Sequence, residues 1–149
     1  MQLNEFLEGE LILPDLTARD KAGVLEELVT PLGHKWPQLD LESAKAVLLE
    51  REGLGSTGIG DGIAIPHGKL DVLDEVSVVV GRSLPGVEFD ALDQKPCHIF
   101  FLVMAPEHVA GMHLRILATI SRTLKDEVFR QSFMQAEGKE GLWQLLQAT

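Results

Sequence analysis

Cysteine is nearly absent from this sequence. Cys97 stands alone, so no internal disulfide can form and a disulfide-stapled fold is excluded. A lone thiol suits a reducing compartment. Basic residues are also scarce, with 13 Lys and Arg against 23 Asp and Glu, a net charge of −10. Such a field repels nucleic acid and anionic membrane surfaces and attracts basic protein surfaces. No apolar run approaches the roughly 18 residues that span a bilayer. Met1-Gln2-Leu3-Asn4-Glu5 offers neither the positive start nor the apolar run of a signal peptide. A cytoplasmic protein with no membrane insertion and no nucleic-acid partner is expected. Repeats, low-complexity tracts and boundary-like linkers are missing too, so residues 1–149 read as one domain with room for a real core.

The missing motifs narrow the chemistry. No two histidines stand in an H-x-x-H or HExxH relation, which leaves a zinc site without support. No serine sits in a nucleophile elbow, and no carboxylate pair suggests glycosidase or protease work. No cofactor is expected. Gly53, Gly55 and Gly58 fit G-x-G-x-x-G, but a dinucleotide site needs a strand before the glycines and a helix after them. Here the order is helix, then strand. No Lys-Ser or Lys-Thr follows the glycines, so a Walker A loop fails as well.

What the sequence does have is glycine in one place. Six of its 14 glycines fall between residues 53 and 68, ending in Ile65-Pro66-His67-Gly68. So dense a run predicts a loop built for unusual backbone conformations and exposed N–H groups. A short apolar strand follows it and delivers His67 at a strand end.

Around this segment the periodicities alternate. Leu11-Ile12-Leu13 reads as a strand. Thr17 with Asp20 resembles a capping box opening a helix through Ala22, Leu25, Leu28, Val29 and Leu32, stopped at Pro31-Leu32-Gly33. Asp40 caps a second helix that ends at Gly53, with Arg51 in its last turn. Val76 to Val80 and Cys97 to Met104 are near-continuous apolar runs, the pattern of strands covered on both faces. His113, Ile116, Leu117, Ile120 and Leu124 form one stripe of a third helix. Asp126 opens a fourth, and Leu142 to Leu146 lie on a last. Strands alternating with helices predict an α/β fold, a mixed β-sheet flanked by helices.

Three residues carry the candidate chemistry. A lone histidine is more often structural than catalytic, but His67 sits between a rigid residue and a bare one. A neighbouring carbonyl could hold one ring N–H and leave the other nitrogen nucleophilic. His113 reads either as a half-buried satisfied histidine or as a group beside the free N–H groups of a helix start, which favour anions. Arg51 is either a solvated helix-end charge or an anion ligand. Two histidines and an arginine around one anion would make a phosphoryl site. His34, His98 and His108 are weaker candidates, and Cys97 reads as a small buried apolar residue.

The run Glu50-Arg51-Glu52, followed by Gly55-Ser56-Thr57-Gly58-Ile59-Gly60-Asp61-Gly62-Ile63-Ala64-Ile65-Pro66-His67-Gly68-Lys69-Leu70, resembles the signature of phosphotransferase-system EIIA domains of the fructose/mannitol type (type 2). The Pro-His-Gly-Lys-Leu ending is most similar to the nitrogen-regulatory branch. Val87 to Asp93, Met104-Ala105-Pro106 and His113-Leu114 extend the likeness over nearly the whole chain. The resemblance implies a phosphoryl carrier of the transferase class, taking a phosphoryl group from a phosphorylated HPr-like protein onto His67. It implies His113 as the second active-site histidine, Arg51 as the stabilising arginine, and Ser56 and Thr57 as polar groups of the phosphoryl-binding site. A protonated His113 and loop N–H groups are expected to add attraction. Downstream, it implies either a regulatory protein target selected by phosphorylation state or a separate EIIB in sugar transport.

Overall fold

The computed structural model describes residues 2–149. In chain order the elements are β1 (Ile12–Leu13), α1 (Lys21–Val29), α2 (Leu32–Lys35), α3 (Leu41–Gly53), β2 (Gly58–Gly60), β3 (Ile63–Ala64), β4 (His67–Lys69), β5 (Ser77–Val87), β6 (Cys97–Ala105), α4 (Ala110–Leu124), α5 (Glu127–Gln135) and α6 (Gly138–Gln147). Short 3₁₀ turns at Leu3–Phe6, Gly9–Leu11 and Glu107–Val109 complete the path.

One mixed sheet runs β1-β5-β6-β3-β2, with β4 also pairing β6. β5 and β6 are antiparallel, whereas β1 on β5 and both β3 and β4 on β6 are parallel. Side chains alternate between faces along a strand. In β6, Phe100, Leu102 and Met104 enter one core with Leu25, Leu28 and Leu48 of α1 and α3. Ile99, Phe101 and Val103 enter a second core with Ile116, Ile120, Phe133 and Leu146 of α4, α5 and α6. Both faces are therefore dry, which is why the strand reads as an unbroken apolar run. The expected mixed sheet between helical layers is what forms.

Local departures have identifiable causes. The cap of α1 is Asp20, whose carboxylate accepts the Gly23 N–H at 2.8 Å. Thr17 instead gives its own N–H to the Glu27 carboxylate at 2.9 Å. The helix stops at Val29, and Pro31 opens the single turn α2, so the chain runs past the stop expected at Gly33. The glycine segment is also more regular than a loop. Gly58–Gly60 is a strand, joined to β3 by Asp61 and Gly62 with φ of 56° and 77°. Asp-Gly with both φ positive is the two-residue hairpin turn that matches strand twist.

Pro66 separates β3 from β4 along the same edge of β6, since proline has no N–H for the ladder. Its carbonyl still accepts the Val103 N–H at 2.9 Å. Pairing resumes at His67 opposite Val103, which fixes the backbone beneath the imidazole.

Candidate functional site

The end of α3, the short strand β4 and the start of α4 enclose a cleft of about 570 Å³. Val47, Glu50, Arg51 and Leu54 line it from the α3 side, His67, Gly68 and Lys69 from β4, and Ala110, His113, Leu114 and Leu117 from α4. The close approach of α3 to β4 depends on Gly68. A Cβ built there would meet Val47 Cγ1 at 2.6 Å, closer than any real contact.

His67 is half-buried, and its Nδ1 lies 2.9 Å from the Ile65 carbonyl oxygen. A carbonyl only accepts, so the neutral ring carries its proton on Nδ1 and its lone pair on Nε2. Burial pushes the ring's pKa below the ordinary histidine value. The Ile65 carbonyl opposes that shift, Arg51 reinforces it, and the charge of Glu52 opposes it again.

His113, the fourth residue of α4, places its ring edge-on to His67, with centroids 5.7 Å apart and planes at 83°. It is 4% exposed. Burial first, then the charges of His67 and Lys69, bring its pKa down to about 4. The ring is therefore neutral near pH 7, which corrects the expectation of a protonated His113. Its Nε2 is buried and has no hydrogen-bond partner among the described residues. Such an orphaned polar atom is costly unless something binds it.

Arg51 stands in the last turn of α3 and donates from Nη1 to the Gly55 carbonyl at 2.9 Å. Lys69 adds a second cation, 3.6 Å from Glu107 across an exposed pair. The structure thus brings together His67, His113 and Arg51, which lie far apart in sequence.

Ser56 and Thr57 are not brought to the cleft wall. The Ser56 hydroxyl oxygen accepts the Gly58 N–H at 3.0 Å. Thr57 is buried, and both its N–H and its hydroxyl are donated to the Glu52 carboxylate. Of the six clustered glycines only Gly68 touches the cleft, so the expected cradle of loop N–H groups is not part of its wall. Glu52 is the residue that sequence reasoning passed over. Its signal was a carboxylate next to Arg51 at a position that a helix of this phase buries.

The other histidines lie elsewhere. His98 holds the Ser83 carbonyl at 2.9 Å through Nδ1, while His34 and His108 are exposed. Cys97 is fully buried, and burial with the nearby Asp93 charge pushes its thiol up to about 12, so it is inert as a nucleophile. Among the described residues no helix is long and apolar enough to cross a membrane.

Paired histidines beside a helix-end arginine form the kind of site that holds a phosphoryl group, and the whole sequence agrees. Residues 5–149 match the profile of the family described as phosphoenolpyruvate-dependent sugar phosphotransferase system, EIIA 2. This chain belongs to the EIIA type-2 family. As a member it is a phosphoryl carrier of the transferase class, working through phosphohistidine.

The EIIA chain is 34% identical, over its full length, to the nitrogen regulatory protein of Escherichia coli K12, covering 91% of that protein. It superposes on the crystal structure of nitrogen regulatory protein IIA-Ntr from Neisseria meningitidis with a TM-score of 0.89 and 30% identity, covering 97% of this chain and 98% of that one. It is also 34% identical, over 95% of its length, to the fructose-specific EIIABC component of Bacillus subtilis 168, of which it spans only 22%. These likenesses put the EIIA among relatives of the nitrogen-regulatory branch.

Proposed function

We propose that the phosphoryl group is carried on Nε2 of His67, received from a phosphorylated HPr-like protein, and that its presence or absence selects a regulatory protein target. The observation that carries the reading is the shared cleft. There the tethered ring of His67, the ring of His113 with its buried, unpartnered Nε2, and Arg51 line one volume.

The chemistry follows from the tautomer. The Nε2 lone pair attacks phosphorus in line, the Nε2–P bond forms, and the donor's bond to phosphorus breaks with its electron pair leaving on the donor. The Nδ1 proton stays, so the ring becomes cationic and its hydrogen bond to the Ile65 carbonyl strengthens. The phosphoryl group carries close to two negative charges. At ~4 Å and an effective dielectric near 20, each opposing unit charge interacts by roughly 4 kcal/mol before desolvation is counted. Arg51 and Lys69 supply that charge, and a neutral His113 in its Nε2–H form supplies a directed N–H. Ala110 puts the positive end of α4 at the rim.

Relatives named nitrogen regulatory protein, aligned along essentially the full chain, support a regulatory output. The likeness to a fructose-specific EIIABC component keeps a second reading, relay to a separate EIIB. Incubation with phosphoenolpyruvate, enzyme I and an HPr-like carrier, followed by intact-mass spectrometry, tests the acceptor. One phosphoryl per chain is expected on the wild type, none on His67→Ala, and slow phosphorylation on His113→Ala. A phosphorylated His67→Ala protein sinks the assignment. Onward passage to an EIIB, rather than a change in affinity for a regulatory partner, decides for the relay.

A further inference from the structure

Glu52 is a buried carboxylate that the phosphoryl chemistry does not use directly. It is 7% exposed and sits at the C-terminal end of α3, beside Arg51. Oε1 lies 3.1 Å from Lys21 Nζ and accepts the Thr57 N–H at 3.1 Å, while Oε2 accepts the Thr57 hydroxyl. A carboxylate gains nothing from a helix C-terminus, where the free groups are carbonyls at the negative end of the dipole. This one is desolvated and fully committed to partners, and such a group is costly unless every contact is kept.

The contacts continue beyond Thr57. The Thr57 carbonyl accepts the Ile65 N–H at 3.0 Å, and the Ile65 carbonyl in turn holds Nδ1 of His67 at 2.9 Å. Hydrogen bonds and the backbone of Thr57 and Ile65 therefore join Lys21 and Glu52 to the imidazole. A second branch leaves the same turn. The Glu52 main-chain carbonyl accepts the Gly55 N–H at 3.1 Å, and the Gly55 carbonyl holds Arg51 Nη1 at 2.9 Å, independently of the Glu52 carboxylate.

We infer that Glu52 and Thr57 are positioning residues for phosphoryl transfer, fixing the Nδ1–H tautomer and orientation of His67 through the backbone of Ile65. The inference rests on His67 being the acceptor. It gives Thr57 a role at one remove from the cleft. Two features suit it. Lys21, itself 4.9 Å over the Phe89 ring, pairs with Glu52 and offsets part of its repulsion of an incoming dianion. The charge of Glu52, the smallest of the influences on the His67 ring, also favours the cationic ring that exists once the Nε2–P bond has formed.

The test uses the full chain with Glu52→Gln, Thr57→Val and the conservative Thr57→Ser. Nitrogen-15 NMR of the imidazoles reads the tautomer, and single-turnover phosphorylation by a phosphorylated HPr-like carrier reads the rate. Wild type and Thr57→Ser are expected to hold His67 as Nδ1–H. Glu52→Gln and Thr57→Val are expected to mix tautomers and to lose about tenfold or more in maximal rate, with half-saturating donor unchanged. A wild-type His67 in the Nε2–H form overturns the inference, and so does an unchanged tautomer in either folded variant. Failure of both variants to fold overturns it too, in favour of a purely folding role. The tautomer reading needs no phosphoryl donor. A wrong acceptor assignment would therefore show as a phosphorylated His67→Ala protein with the tautomer response of the wild-type ring intact.

Discussion

Replacing Gly68 with alanine probes the spacing on which the cleft depends. A Cβ at 68 would stand 2.6 Å from Val47 Cγ1, where ordinary contact begins at 3.4 Å, so β4 and α3 must part by about 0.8 Å. Arg51 lies one turn beyond Val47 on α3 and moves with it, while His67 stays registered on Val103 of β6. Overpacking of this kind costs about 1–3 kcal/mol, or roughly 3–9 °C in melting temperature for a domain of this size. A misplacement approaching 1 Å near reacting groups costs up to ~100-fold in rate. Phosphorylation of Gly68→Ala by a phosphorylated HPr-like carrier, quenched and read by intact mass, is expected to slow by about 10- to 100-fold. Adding Val47→Ala removes the obstructing methyl and should restore most of the rate. Transfer by Gly68→Ala at the wild-type rate refutes the reasoning, as does a folded double variant no faster than the single one.

Two further outcomes follow from buried groups. His113 has a folded pKa of about 4 against 6.5 unfolded, so between those values the unfolded chain binds more protons and stability falls as the pH drops through the window. The His113 contribution is fully present above about 6.5 and amounts to at most about 3 kcal/mol. Denaturant melts of wild type and His113→Gln from pH 7 to 4.5 check this, and parallel curves for the two proteins would contradict it. Arg82, 3% exposed, gives its N–H groups to the carbonyls of Pro14, Phe133 and Ala136. Arg82→Met leaves those acceptors unpaired, so a loss of about 2–4 kcal/mol is expected, with faster amide exchange where α5 ends and phosphoryl acceptance unchanged. A melt within 1 °C of wild type would refute that role.

Much of the fold was legible because its signals are local. β6 and α4 announce themselves by an apolar run and a stripe at helical spacing, and Asp40 and Asp126 cap the helices they were expected to cap. The β2–β3 hairpin was hidden because glycine carries no strand preference, although Asp61-Gly62 is a hairpin turn signal. Thr17 reads as a cap because its hydroxyl is chemically as suitable as the carboxylate of Asp20, and only the position of Glu27 decides between them. Thr57 belongs to the polar positions of the motif, and only the fold shows that its hydroxyl faces Glu52.

By itself the amino-acid order determined which residues are candidates for the chemistry, since Pro66-His67-Gly68, the helix-ending Arg51 and the helix-opening His113 are local facts of side chain and neighbour. Only the folded chain decided that His113 is neutral, that Gly68 sets the gap to α3, and that Glu52 reaches His67 through Thr57 and Ile65. Those are properties of burial and distance between residues remote along the chain, and they exist once the sheet and its helices have packed.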